Sequence, residues 1–230
     1  MKVTHFIAVA GLVIASSAVF TSCIRRDDDY NNTNPNNNNN NYNHGNHTTN
    51  TTDTVYDEQF NGVDNSLWTF TNATDSAYSS ITNDTFQYVD YSVILSNMTV
   101  VNTGINTQNN FTVSARIKSN NIMGLVFGAS SSSNGYAFYI DTVGNYSLYA
   151  EGSGSTASTV IIPSTQDSLY SVKHNWNVLE LDQTNGTWTG YINGTQVFSM
   201  AARSMGGNSF GFKVLPQTIG YANYLIVKND

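Results

Sequence analysis

Residues 177–200 read NVLELDQTNGTWTGYINGTQVFSM, and this stretch decides the fold class. Apolar and polar residues alternate along Asn177–Asp182 and again along Thr187–Ile192, as expected of strands with one buried face. Asn185-Gly186 and Asn193-Gly194 separate the runs, and Asn and Gly tolerate the positive φ angles of tight hairpin turns. The stretch therefore predicts successive antiparallel strands joined by hairpins.

Similar short runs continue through the chain from about Val55 to Asp230. The clearest is Phe111–Lys118, in which every second residue is apolar, and Gly135–Ile140 with Asn145–Tyr149 forms another predicted hairpin. We find no convincing stretch of ten residues with helical periodicity. We therefore predict that residues 55–230 form an all-β domain, a two-sheet antiparallel jelly-roll sandwich.

The composition excludes several classes of protein. Lys and Arg total 9 against 16 Asp and Glu, which gives a formal net charge of −7. A nucleic-acid-binding protein needs a basic surface to neutralise phosphates, so we expect no nucleic-acid partner. A single Cys rules out a disulfide framework and a zinc site built from several thiolates.

The first residues predict a targeting segment. Lys2 precedes the apolar run Phe6–Phe20, whose 15 residues are fewer than the roughly 20 that a membrane-spanning helix needs. We therefore predict a signal peptide over residues 1–22. Ser22 before the lone Cys23 resembles the lipobox of bacterial lipoproteins, which implies lipidation of Cys23. A buried free Cys, or a signal peptide cleaved elsewhere, is the alternative.

The segment after Cys23 predicts a tether and an address. Arg25–Asp29 resembles the export signal of Bacteroidetes lipoproteins, which implies the outer membrane with the domain facing the cell exterior; a solvated charge run is the alternative. Asn31–Asn50 contains 12 Asn and little that could be buried. Residues 23–54 are therefore predicted to be a disordered, lipid-anchored tether.

Several motifs resemble, in order, those of concanavalin A-like lectin/glucanase domains, especially laminin G-like modules and 3-keto-disaccharide hydrolase-like domains. The motifs are Phe60-Asn-Gly62 with Trp68, Gly135–Ile140, Asn175–Val178 with Tyr191–Gly194, Gly211-Phe212 and Tyr221–Val227. Lectins, carbohydrate-binding modules, glycosidases and structural modules share this fold, so the fold does not define the function.

Non-catalytic carbohydrate binding, for glycan capture or adhesion, is the function we predict from the residues. Sugars present apolar CH faces and polar rims, and the domain is rich in Tyr, Asn, Asp and Gln. Tyr149 shares a strand face with polar residues and is the best candidate for an exposed ring. The predicted carbohydrate-binding residues are Tyr136, Tyr149, Glu180, Asp182 and Tyr191. Trp188 shares a strand face with Gly190 and Ile192 and is expected to point to the core. The resemblance implies that Trp68 and Trp176 also pack inside.

Two alternatives stay open. The domain could be a structural or protein-interaction module of the cell envelope, or a glycoside hydrolase whose acids come from distant strands. Glu180 and Asp182 match the first two acids of the Glu-x-Asp-x-x-Glu motif of laminarinase-type hydrolases, but Asn185 occupies the third position. We therefore predict no catalytic residues, and the oligomeric state is left open.

The resemblance also implies a structural calcium ion where the first and last strands meet. Asp57 and Asn223 hold the matching positions, and oxygen ligands suit this cation. No other cofactor is expected. The predicted partner is a glycan or polysaccharide, with membrane contact only through the lipid anchor.

Overall fold

The protein is described by a computed structural model that covers residues 53–61, 68–70, 76–94, 96–152, 156–167 and 175–230. Contacts divide the chain into Met1–His47 and Thr48–Asp230, and all described residues belong to the second unit. The predicted signal peptide, Cys23 and most of the Asn-rich tether therefore lie outside the described residues. Within the described ranges, no helix is long and apolar enough to cross a membrane.

The described residues form fifteen strands, the first of which begins two residues before the predicted domain start. They are β1 (Asp53–Glu58), β2 (Thr69–Phe70), β3 (Ala77–Ile81), β4 (Phe86–Asp90), β5 (Asn97–Asn102), β6 (Phe111–Ser119), β7 (Met123–Ala129), β8 (Gly135–Ile140), β9 (Asn145–Glu151), β10 (Thr159–Gln166), β11 (Asn177–Thr184), β12 (Thr187–Ile192), β13 (Thr195–Ala201), β14 (Ser209–Val214) and β15 (Thr218–Asn229).

The strands form two antiparallel sheets. The eight-stranded sheet has the order β13-β12-β11-β6-β15-β4-β3, and β1 pairs with the second half of the long strand β15. The seven-stranded sheet has the order β10-β9-β8-β7-β14-β5-β2. The prediction of an all-β, two-sheet antiparallel sandwich is confirmed.

The predicted hairpins are present. Strands β8 and β9 pair directly, as do β11 and β12, and β12 continues into β13 through Asn193-Gly194. Asn193 and Gly194 have φ angles of 52° and 78°, so these residue types fit the backbone that the turn requires.

The main core lies between the sheets. On β6, Phe111, Val113, Ala115 and Ile117 are fully buried while the residues between them are only partly buried, as the alternation predicts. Trp188 on β12 packs edge-on against Phe127 of the opposite sheet. A second, smaller apolar cluster lies on the outer side of the seven-stranded sheet, and its buried members are Met98, Val100, Val126, Ala129, Ala137 and Tyr139. This cluster positions the candidate site.

Candidate functional site

A pocket of about 290 Å³ lies on the outer face of the seven-stranded sheet. Strands β8 and β9 form one wall, because alternate residues on each strand point away from the core. Tyr139 comes from β8, Ser147 and Tyr149 come from β9, and Lys213 comes from β14. Each side chain is therefore held on a regular strand rather than on a loop.

Two tyrosine rings give the pocket its apolar wall. The centroids of Tyr139 and Tyr149 lie 5.7 Å apart with an interplanar angle of 80°, an edge-to-face contact. Tyr139 is buried, and Tyr149 packs against the outer apolar cluster while remaining partly exposed. Tyr149 therefore offers the pocket a ring whose orientation is fixed from behind by Tyr139.

A buried ion pair occupies the polar side of the pocket. Lys213 Nζ lies 2.6 Å from Glu151 Oε2, and the two side chains are 11% and 3% exposed. Tyr139 donates a hydrogen bond of 2.6 Å to Glu151 Oε1, and Ser158 donates one of 2.6 Å to Oε2. Three donors thus satisfy the carboxylate, as a buried charge requires.

This network determines which groups can exchange protons. Burial by itself would raise the pKa of Glu151, but Lys213 and the hydrogen bonds from Lys213, Ser158 and Tyr139 outweigh it, and the pKa lies below its usual value. Burial and the adjacent Glu151 raise the pKa of Tyr139 well above its usual value. At neutral pH the pocket therefore presents a carboxylate and a phenol that keeps its proton, both beside the side chain of Lys213.

The rim of the pocket is polar and ordered by its own hydrogen bonds. The carboxylate of Asp141 accepts the backbone N–H groups of Val143 and Asn145 and the side-chain amide of Asn145. These bonds shape the turn between β8 and β9. Ser147 also lines the pocket, so uncharged hydrogen-bonding groups stand beside the tyrosine rings.

The structure brings only one of the predicted carbohydrate-binding residues, Tyr149, to this pocket. Tyr136 lies on the core side of β8, where its ring stacks on Phe127 and meets Trp188 with centroids 4.7 Å apart. Its hydroxyl donates to the carbonyl of Ser204 over 2.8 Å. Tyr136 is thus held by core packing, because even-numbered residues of β8 point inward.

The other three predicted residues lie together on the outer face of the eight-stranded sheet. Glu180 is directly opposite Tyr191, and Asp182 accepts a 2.9 Å hydrogen bond from Thr112. Burial raises the pKa of both carboxyls; Asp182 adds to the shift of Glu180, and Asp230 adds to that of Asp182. They form a second polar surface, remote from Tyr149 because the two outer faces point in opposite directions.

Strand β11 departs from the hydrolase motif. It pairs with both neighbours without a register shift, so no bulge turns its acids toward one cleft. Asn185, at the third motif position, has a φ angle of 50° and begins the turn, with its backbone N–H bonded to Asn110. The strand ends before a third acid could share the face of Glu180 and Asp182.

The two predicted calcium ligands are offset. Strands β1 and β15 do pair, but Asp57 is opposite Ile226, three residues along β15 from Asn223. The side-chain oxygen of Asn223 accepts a hydrogen bond of 3.2 Å from Arg116, and its amide donates to the carbonyl of Asp84. Among the described residues, no group of three or more His, Cys, Asp or Glu side chains could hold a metal ion. The calcium site stays a prediction.

The tryptophans do not behave alike. Trp68 and Trp188 are buried, as expected. Trp176 is not inside the core; it lies partly exposed at the outer face of the eight-stranded sheet, under Arg116 and Lys118. It directly precedes β11, whose odd-numbered residues point inward, so an even-numbered position faces out.

Sequence reasoning missed Glu151, Lys213 and Tyr139. Glu151 stands beside Gly152 in the sequence, where a turn is expected, but it ends β9 and shares the outward face of Tyr149. Lys213 lies within the fully buried strand β14, SFGFKV, and a charged residue inside such an apolar run is a signal for a buried partner.

No family model matches the chain, and no curated protein matches it. Among solved structures, a carbohydrate-binding module, CBM66 from Bacillus subtilis, aligns with a TM-score of 0.53 and 18% identity over 71% of this chain and 96% of that one. The catalytic domain of an endo-1,3-β-glucanase (laminarinase) from Thermotoga petrophila aligns with a TM-score of 0.51 and 11% identity over 78% and 98%. These similarities confirm the two-sheet jelly-roll sandwich fold.

Proposed function

We propose that this domain is a non-catalytic carbohydrate-binding module and that the pocket beside Tyr149 is its glycan site. The observation that carries the proposal is the combination of a partly exposed, rigidly backed tyrosine ring with a buried Lys213–Glu151 pair in one pocket. Ligand sites combine apolar walls with a few fixed polar groups in this way. The shared fold with a carbohydrate-binding module and a glucanase supports the same reading.

The chemistry of the pocket suits a neutral sugar. An aromatic face accommodates the CH groups of a pyranose ring, while Lys213 has N–H groups beyond the one bonded to Glu151 and can donate to hydroxyl oxygens. The ion pair is already neutral, so a neutral ligand adds no uncompensated charge. A volume of about 290 Å³ equals that of roughly ten water molecules, which is the scale of one sugar unit.

The state of Glu151 favours binding over hydrolysis. A glycosidase needs a carboxylic acid that gives a proton to the leaving oxygen, and such an acid has a raised pKa. The pKa of Glu151 is lowered by Lys213 and by its hydrogen bonds despite its burial. Asp141, the other carboxylate at the pocket, is engaged by the β8–β9 turn.

Glycan-array screening of the full-length chain tests the proposal, with two tyrosine variants as a matched pair. Tyr149→Ala removes the ring at the pocket, and we expect about a tenfold loss of affinity for the best glycan. Tyr191→Ala removes an equivalent ring from the opposite outer face, and we expect a change below about twofold. Loss with Tyr191→Ala and none with Tyr149→Ala would refute the pocket assignment.

The same screen separates the alternatives. If no glycan binds, carbohydrate binding fails and a structural or protein-interaction role at the cell envelope is favoured. Burial and Asp182 raise the pKa of Glu180, as a general acid requires, and this observation favours a glycoside hydrolase as the second candidate. Incubating the chain with each bound glycan and measuring reducing ends tests it, and we expect no release.

We further propose that the chain is a lipoprotein of the bacterial outer membrane, anchored through Cys23 and facing the cell exterior. The sequence of the first 29 residues supports this address. In a bacterial host, Cys23→Ser in the full-length chain is expected to move the protein from the membrane fraction to the soluble fraction, since lipid chains provide the anchoring. Retention of Cys23→Ser in the membrane fraction would refute the anchor, and protection of the wild-type protein from protease added to intact cells would refute the outward orientation.

A further inference from the structure

The outer face of the eight-stranded sheet carries a strip of rings and cations that the pocket function does not use. Lys118 Nζ lies 4.8 Å from the ring centroid of Trp176 and 4.9 Å from that of Tyr221. The guanidinium of Arg116 lies 4.9 Å from the same Trp176 ring. The cation strip is defined here as Trp176, Arg116, Lys118, Tyr221 and Gln87.

Strand register explains why these residues form a line. Lys118 on β6 is opposite Tyr221 on β15, and Tyr221 is opposite Gln87 on β4. Trp176 directly precedes β11, which pairs with β6 from the other side. Because the paired residues lie on successive strands, the strip runs across the sheet at right angles to the strands, whose neighbours lie about 4.8 Å apart. Gln87 donates a 3.3 Å hydrogen bond to the hydroxyl of Tyr221.

The strip shares its sheet face with Glu180 and Asp182, but neither carboxylate forms an ion pair with Arg116 or Lys118. Among the described residues, neither Arg116 nor Lys118 forms an ion pair; Arg116 donates instead to the neutral side chain of Asn223. Two like charges are therefore held two residues apart on one strand face, in a chain whose net charge is −7. Their ring contacts stabilise the cations but cannot cancel the mutual repulsion. An anion bound between Arg116 and Lys118 would offset this repulsion.

The strip also has space for a ligand. A depression of about 220 Å³ adjoins it and is lined by Lys118, Ser119, Asn120, Ile219 and Tyr221. An ammonium group, an aromatic ring and a polar side chain thus face one cavity.

We propose that the cation strip is a second binding site, which takes an acidic polysaccharide. A uronate carboxylate or a sulfate ester would accept hydrogen bonds from Lys118, and sugar rings would lie against Tyr221 and Trp176. An acidic peptide fits less well, because peptides that pair with sheets need an open strand edge, whereas the strip crosses the sheet face. The site stands on residues separate from the Tyr149 pocket.

Binding of polygalacturonate to the full-length chain tests the proposal, with a neutral glucan and polyglutamate as comparison ligands. Lys118→Met keeps most of the apolar stem and removes the charge, and we expect it to weaken polygalacturonate binding about tenfold. Lys228→Met removes the same charge from the same sheet face, away from the strip, and we expect a change below about twofold.

Two further measurements separate the site from folding effects and from the pocket. Lys118→Arg is expected to keep binding, so that loss with Lys118→Met alone assigns the effect to the charge, and Tyr149→Ala is expected to leave polygalacturonate binding unchanged. Equal losses for the two lysine-to-methionine variants, absence of polygalacturonate binding, or equally tight binding of polyglutamate would each overturn the proposal.

Discussion

The effect of Lys213→Met on the free energy of unfolding is the most direct stability test of the candidate pocket. It removes one partner of the Lys213–Glu151 pair while keeping most of the side-chain volume. Glu151 keeps the donors Tyr139 and Ser158 but loses its counter-charge. An uncompensated carboxylate then remains in a site where only 3% of its side chain is exposed.

The burial determines the magnitude. An exposed ion pair contributes about 0.2–1 kcal/mol, whereas removing one partner of a buried pair costs about 3–5 kcal/mol. Since the side chains of Lys213 and Glu151 are 11% and 3% exposed, the second range applies. We therefore expect Lys213→Met to lower the free energy of unfolding at pH 7 by about 3 kcal/mol.

The pH dependence provides an independent check. In the wild type the pKa of Glu151 is lowered, so its contribution is present above the ordinary carboxyl pKa of about 4.3 and is lost as the pH falls through the lowered value. In Lys213→Met burial dominates and the pKa of Glu151 rises, so acid relieves the buried charge. The difference between the two proteins is therefore expected to shrink as the pH falls from 7 to about 4.

Urea unfolding of both proteins at several pH values measures this difference. Lys228→Met serves as a surface control, with an expected change below about 1 kcal/mol. The double variant Lys213→Met with Glu151→Gln is expected to recover part of the loss, because it removes the orphaned charge. A cost for Lys213→Met below about 1 kcal/mol that does not vary with pH would refute the buried pair.

Three other substitutions test the packing and electrostatics of the sandwich. Gly211→Ala places a Cβ onto the backbone of Thr99, and thermal unfolding is expected to show a loss of about 3 kcal/mol. In the control Gly186→Ala space is open and only the φ angle of 74° adds strain, so a loss of about 1 kcal/mol is expected. A wild-type melting temperature for Gly211→Ala would contradict this. Gln183→Ala orphans the indole N–H of Trp188 and two carbonyls, and urea unfolding is expected to show a loss of about 2 kcal/mol, whereas an unchanged midpoint would not fit. Glu180→Gln is expected to stabilise the domain slightly near pH 7 and not below pH 4, because burial and Asp182 raise the pKa of Glu180 and its charged form disfavours folding; a loss of stability at pH 7 would contradict it.

The fold could be predicted because its signals are local. Alternation along β6 and the Asn-Gly turns around β12 depend only on neighbouring residues, and the structure has the predicted strands and hairpins there. The same alternation correctly put Tyr149 on the outer side of β9 and Trp188 in the core. The same alternation also places Tyr136 on the inward face of β8, together with Phe138.

The candidate site could be predicted only in part, because it depends on pairing between distant strands. Glu151 and Lys213 are 62 residues apart and meet through the arrangement of β9 and β14 within one sheet. The sequence around Glu151 and around Lys213 does not indicate which residue each one pairs with. The resemblance implies a core position for Trp176, but this residue lies just outside its strand and its ring contacts the cations of β6 instead.

The position of a bound sugar tests the central claim most directly. The measurement is a crystal structure of the full-length chain with the tightest neutral glycan from the array. We predict a sugar ring against Tyr149, with a hydroxyl within hydrogen-bond distance of Lys213 Nζ. A sugar seated instead beside Glu180 and Tyr191, with the Tyr149 pocket empty, would contradict the account.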